Sequence, residues 1–325
     1  MSESEILKWK DGKRAVFMLE FDDNCETHVK NVIPELKKRG FVGTFYINPG
    51  GSTFKSQQNA WEKDIPAAGM EYGNHTFTHN GAPNLDEIDR DIALCNDEIN
   101  RCFPDRKTPR LISFARPGGV PWKISDEENK HVLAKYNLIQ RPPFLGYPFH
   151  AKTKEDVLKL VDNAIAGGEM GHLDFHGVGG DWLITPMDIF IAVLDKLEAN
   201  KNQLWITDPV SYHKYLTERN SSELKIVQAD KLQIRLQLTC ETDPALYDLP
   251  LTLKTKVPAD WEKCSVEQGK CKTIVKAIDS EIRYAVGPVT GEIVIKPAGK
   301  RLIRRPRAAT LVISYQCSVI SKKIH

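Results

Sequence analysis

A chain of 325 residues with 45 basic and 43 acidic side chains has a formal charge of only +2, so no global charge directs it to nucleic acid or to an anionic membrane. It is long enough to bury a sizeable core and to form two domains. No apolar run reaches the ~18–20 residues of a membrane span, and the opening MSESEILKWKDGKR lacks the apolar centre of a secretory leader. The expected location is cytoplasmic if the chain is complete, and secreted or periplasmic if a leader was removed. Seven cysteines is an odd number and implies no complete disulfide framework; reduced structural cysteines are expected, with Cys264 and Cys271 spaced to close a hairpin loop.

Up to about residue 218, short β-rich runs alternate with helical stretches. The runs are RAVFMLEF (14–21), VGTFYIN (42–48), MEYG (70–73), LISFA (111–115), a weak one near NLIQR (137–141), GHLDF (171–175) and QLWIT (203–207). Between them, ETHVKNVIPELKKRG has apolar residues at helical spacing, a basic last turn and Gly40 as its stop. NLDEIDRDIALCNDEINRCF repeats an apolar face at Leu85, Ile88, Ile92, Cys95 and Ile99. TPMDIFIAVLDKLEAN predicts a helix with a Thr cap and Pro at its first position. Seven strands alternating with helices predict a parallel β/α sheet or barrel.

The composition shifts across ERNSSELKIVQAD (218–230). Beyond it LQIRLQLTC, LTLKTKV, KTIVKAI, EIRYAV, GEIVIKP and ATLVISY follow one another, separated by Pro, Gly and Asp turns without an amphipathic helix. The expected organisation is a barrel over 1–220 and an all-β sandwich over 221–325. The basic run KRLIRRPR (300–307) reads as a solvated hairpin.

Four motifs carry chemistry. FDDN sets Asp22 and Asp23 at the C-terminal end of the first strand, the end that bears the active site of a β/α barrel; an Asp pair before a helix also suits an N-cap. HTFTH follows the third strand, and on a helical turn His75 and His79 share a face and can bind one cation. FARPGG follows the fourth; its glycines admit a ligand close to the backbone, and Arg116 suits an anion or solvent. LDFHGVGGDW follows the sixth and presents His176 at the barrel mouth, with His172 and Asp174 on the same strand face, so His172 is an alternative active-site residue. All four lie at one end of a parallel barrel. Two histidines and one carboxylate leave metal positions open for water and substrate, as in a hydrolytic site, with the second carboxylate as base and His176 as acid.

In that order, EFDDN, HTFTH, FARPGG and LDFHGVG resemble the NodB-homology polysaccharide deacetylases (carbohydrate esterase family four) over residues from about 10 to 218. The resemblance implies a distorted (β/α)7 barrel that removes acetyl groups from sugars, N-acetylated ones first, with one divalent ion. It makes Asp23, His75 and His79 the metal ligands, Asp22 the general base and His176 the acid. Zn²⁺ is the first expectation for the ion, ahead of Co²⁺, Ni²⁺ or Fe²⁺. The expected partner is an acetylated carbohydrate, with no nucleic acid.

The motifs also depart from the family. Glu20 and Asn24 flank the first Asp pair. Where the family has Arg-x-Pro-Tyr, anchoring on Pro117 puts Ala115 in the arginine position and Gly118 in the tyrosine position. Gly118 can still offer the backbone N–H to an oxyanion, while Arg116 or Arg141 would have to replace the arginine. Asp181 and Trp182 are the nearest look-alike of the family's Asp-Trp motif. Gly118, Arg116 and Trp182 are therefore expected around the oxyanion and the substrate. A sugar-binding protein without turnover and an amidohydrolase for small cyclic amides are the competing expectations.

Overall fold

The computed structural model describes residues 3–298. They divide into two compact units: residues 8–220 with 242–249, and residues 3–7 with 221–241 and 250–298. The division is therefore not a single cut at 220, because two short segments change sides.

In chain order, β1 (Ser4–Ile6) belongs to the second unit. The first unit holds β2 (Ala15–Asp22), β3 (Thr44–Ile47), β4 (Glu71–Asn74), β5 (Ile112–Phe114), β6 (Leu138–Gln140), β7 (Met170–Phe175) and β8 (Leu204–Thr207). Each expected barrel run is a strand. They form a seven-stranded sheet in the order β6-β5-β4-β3-β2-β7, with β8 also on β2, and every pairing is parallel. This is a distorted (β/α)7 barrel. Every residue of β2 is buried, as expected of a strand covered on both faces. Its early residues lie between β7 and β8 and its later ones between β7 and β3.

Beside β7 the ladder is taken up by the chain beyond β6. Asp174 donates its backbone N–H to the Leu145 carbonyl at 3.0 Å, and the Leu145 N–H returns to the Asp174 carboxylate at 2.6 Å. Below the strand ends, Phe21 stacks on Phe45 and Phe175 with ring centres 4.8 and 5.2 Å apart, fixing the central strands against one another.

The helix after β2 starts as a π-turn over His28–Val32, continues as α-helix over Ile33–Arg39, and stops at Gly40. There φ of 65° lets the N–H reach the Leu36 and Lys37 carbonyls. In Leu85–Cys102 the expected stripe is buried at Ile88, Ile92, Cys95 and Ile99, whereas Leu85 in the first turn is exposed. The expected Thr cap is not made. The helix Met187–Ala199 has Pro186 at its N-cap, and Thr185 is bridged to Val178 in the preceding loop. Among the described residues no helix is long and apolar enough to cross a membrane.

The second unit continues with β9 (Ser222–Ala229), β10 (Ile234–Cys240), β11 (Leu251–Lys256), β12 (Lys263–Gln268), β13 (Cys271–Lys276), β14 (Glu281–Val286) and β15 (Gly291–Pro297). Two antiparallel sheets, β1-β11-β14 and β13-β12-β15-β10-β9, make the β-sandwich. Alternate residues point inward: Ile234, Leu236 and Leu238 from one sheet, Ile282, Tyr284 and Val286 from the other. Cys264 pairs in register with Val275, and Cys271 with Gln268, so the two cysteines do not face each other across the hairpin. The expected strand ATLVISY and the basic run 300–307 lie outside the described residues.

Candidate active site

Asp23, His75 and His79 bring one ligand atom each within 4.8 Å of one another. Both imidazole Nε2 atoms lie 3.3 Å from Asp23 Oδ1. No helical turn makes this arrangement. His75 leaves the end of β4, and an irregular loop with Thr76 and His79 both at φ of 60° turns the second imidazole back onto the first. Left-handed backbone is unfavourable for these residues, and local hydrogen bonds hold it. Asn74 Oδ1 accepts the Thr76 N–H at 2.8 Å and Thr76 Oγ1 accepts the His79 N–H at 3.1 Å. Asp91 binds both the N–H and the hydroxyl of Thr78. Asp23 is itself left-handed at φ of 72°.

The donor set fits a divalent ion. His75 Nδ1 lies 2.8 Å from the Ala115 carbonyl, which fixes the tautomer and leaves Nε2 with its lone pair toward the cluster. Burial opposes ionisation of Asp23, but the neighbouring His75, His79 and His176 prevail and hold its pKa at about 2. The carboxylate is thus available as a ligand without proton loss at neutral pH.

Asp22, at the last position of β2, does not cap a helix either. It is buried, and Arg141 grips it in a fork. Burial would raise its pKa, but Arg141, with His75 and His176, brings it below the ordinary carboxylate value. The guanidinium arrives from the strand that neighbours Ala115. The β5–β6 register pairs Phe114 with Gln140, and the Arg141 N–H donates to the Phe114 carbonyl. Arg141 therefore stands beside Ala115. Its Nη1 also donates to Asp174 at 2.8 Å, and Glu20 lies 3.8 Å away. Asp174 and Glu20, absent from the sequence-derived site, complete this buried network.

His176 follows β7, with Nε2 3.6 Å from Asp23 Oδ2. Trp182 meets its ring edge-on at 4.6 Å and Phe144 at 5.2 Å. Burial lowers its pKa against the pull of Asp22 and Asp23. The loop behind it is pinned: Asp181 accepts the Thr27 N–H and hydroxyl at 2.7 and 2.6 Å, and the His28 ring bonds to the His176 carbonyl at 2.8 Å. Asp181 thus holds the loop rather than reaching the cluster. His172 is held deeper, against the Pro143 carbonyl and Asp174, and does not line the pocket.

One cavity of about 340 Å³ joins Asp22, Asp23, His75, His79, Arg141 and His176. Gly118, Arg116 and Trp182 line it as expected, and Phe144, Phe149 and Leu183 add apolar wall. Sequence reasoning missed those three because they lie in loops with no motif of their own.

The parallel barrel thus carries an Asp-His-His cluster and a second, arginine-held carboxylate at its C-terminal mouth. Residues 10–138 match the model of the polysaccharide deacetylase family. A gellan lyase from a Bacillus species is 22% identical over 331 residues, covering 91% of this chain. The chain spans only 13% of that protein's length. Among solved structures, the peptidoglycan deacetylase PdaC from Bacillus subtilis is 18% identical, with 64% of this chain and 94% of that chain covered and a TM-score of 0.45. A pseudoenzyme of carbohydrate esterase family four from Bacillus anthracis is 19% identical, with 58% of this chain and 63% of that chain covered and a TM-score of 0.42.

Proposed function

We propose that the barrel unit is a metal-dependent deacetylase that hydrolyses acetyl groups on a polysaccharide or oligosaccharide, N-acetylated sugars first. The observation that carries this reading is the convergence of Asp22 and His176 on the cavity of the Asp23–His75–His79 cluster. Neither residue is needed merely to grip a sugar, which weighs against a binding module.

A divalent ion held by Asp23, His75 and His79 supplies Lewis acidity toward the acetyl carbonyl when bound, and Zn²⁺, Co²⁺, Ni²⁺ and Fe²⁺ all suit this donor set. Asp22, kept ionised by Arg141, takes a proton from the attacking water. Gly118 lines the cavity, and its N–H meets the carbonyl oxygen as it gains charge. His176 protonates the departing nitrogen or oxygen; burial lowers its pKa, against the pull of Asp22 and Asp23 toward the imidazolium this step requires. The products are acetate and the freed amine or hydroxyl.

The test is acetate release from N-acetylglucosamine oligomers, peptidoglycan fragments and acetylated xylan, alongside ring opening of small cyclic amides, with chelator, then with Zn²⁺ or Co²⁺ restored. Release should stop with chelator and in Asp23→Ala, and return with metal in the wild type. Activity indifferent to both treatments overturns the metal-dependent reading. Turnover of the cyclic amides alone overturns the carbohydrate, and glycan binding without any release favours the module.

A further inference from the structure

The cavity carries two guanidinium groups in opposite circumstances. Arg141 is buried and saturated by carboxylates. Arg116 is exposed on the loop after β5 and lines the same cavity. It stacks over the Trp122 ring at 4.8 Å, and among the described residues no carboxylate pairs with it. Trp122 is itself anchored by its bridge to Ala82, flanked by the Ala82 N–H to the Pro121 carbonyl and the Lys123 N–H to the Ala82 carbonyl. The stack thus restrains the guanidinium and leaves its edge, with several N–H donors, open.

A restrained, unneutralised guanidinium on a wall shared with Phe149 and Leu183 is a ready receptor for a planar anion. Its fork matches a carboxylate in bidentate geometry, and the apolar neighbours lower the effective dielectric in which the pair forms. A neutral sugar chain would leave this charge unused.

Resting on the deacetylase reading, we infer that the substrate is an acidic glycan: an acetylated chain whose carboxylate is that of a uronic acid, on the acetylated sugar or its neighbour. Arg116 takes that carboxylate and sets specificity.

The experiment compares kcat/KM for acetate release by the Zn²⁺-loaded full chain on an acetylated uronate-containing oligosaccharide and on its carboxyl-reduced counterpart. The acid-to-reduced ratio should be about 10–50, carried by KM and lowered by salt, as expected for a partly exposed charge-assisted pair. It should fall to near 1 in Arg116→Gln and keep an intermediate value in Arg116→Lys, which retains charge without the fork. A wild-type ratio near 1, or a ratio that survives Arg116→Gln, overturns the inference and leaves the deacetylase reading standing. A higher rate on a chain whose only acidic group is sulfate than on the uronate overturns the carboxylate. Absence of acetate release from every acetylated substrate overturns the deacetylase reading and this inference with it.

Discussion

Arg141 holds Asp22 by two parallel hydrogen bonds, Nη1 to Oδ1 at 2.8 Å and Nη2 to Oδ2 at 2.7 Å, with both side chains buried. The arginine belongs to the end of β6, while the position beside it at the end of β5 holds Ala115. The same guanidinium is held from behind by Asp174, so its orientation is set from two sides. Because parallel neighbours in register present their ends side by side, a guanidinium can be supplied from either strand. The Ala115 backbone carbonyl meets His75 Nδ1.

Arg141→Gln should therefore have two separable effects. Loss of the partner leaves buried carboxylates uncompensated, costing on the order of 3–5 kcal/mol in a denaturant titration. In the fraction that stays folded, kcat should fall about 10²–10⁴-fold, the range of a lost general base. Arg141→Lys keeps the charge but not the fork and should fall between. Near wild-type kcat in folded Arg141→Gln would remove the assigned role.

Glu20 gives a pH prediction. It is fully buried, Tyr46 donates to it at 2.8 Å, and burial outweighs Arg141 to raise its pKa from 4.5 to about 7. A raised carboxylate favours the fold while protonated, so its contribution is full below 4.5 and is lost as pH rises through 7. The swing is on the order of 3 kcal/mol. Glu20→Gln mimics the protonated form at every pH. Its stability relative to wild type should climb between pH 4.5 and 7 and level off above, read from urea midpoints across that range. Parallel profiles would show that Glu20 does not keep its proton.

The roles of leaving group and acid are coupled at His176. An amine needs protonation to depart more than an alcohol does, so His176→Ala should reduce amide deacetylation by ~10²–10⁴-fold and ester deacetylation by less. The comparison uses N-acetylglucosamine oligomers and acetylated xylan under one metal load. Equal losses on both would assign His176 a role other than protonating the leaving group.

The sequence made the parts of the site that end strands readable. Asp22, Asp23, His75 and His176 each follow an apolar run that could only be a buried strand, and a parallel barrel gathers such ends on one face. Arg141 stayed ambiguous because its place depends on the β5–β6 register, which no local pattern encodes. Asp174 was hidden by its position inside an apolar strand, where a carboxylate needs a partner that only the fold supplies. The His pair was recognised for a reason that does not hold: spacing of four suggested a helical turn, and left-handed Thr76 and His79 do the work instead. In the sandwich, β1 is only three residues long and β12 reads KCSVEQ, too polar to stand out, while β9 lay in the stretch taken as a boundary.

Gly118 separates a backbone role from a side-chain role. A Cβ added there meets nothing within 4 Å, and its backbone is not in the left-handed region. Gly118→Ala should consequently fold normally and keep kcat within a few fold, because the N–H remains. Gly118→Pro deletes only that donor and the freedom of φ, and loss of an oxyanion donor costs about 10²–10³ in kcat. The measurement is kcat for acetate release by both variants at saturating substrate, with circular dichroism and Zn²⁺ affinity as checks that the cluster is intact. If the proline variant binds Zn²⁺ as wild type does and turns over as fast as the alanine variant, the oxyanion is met by another group.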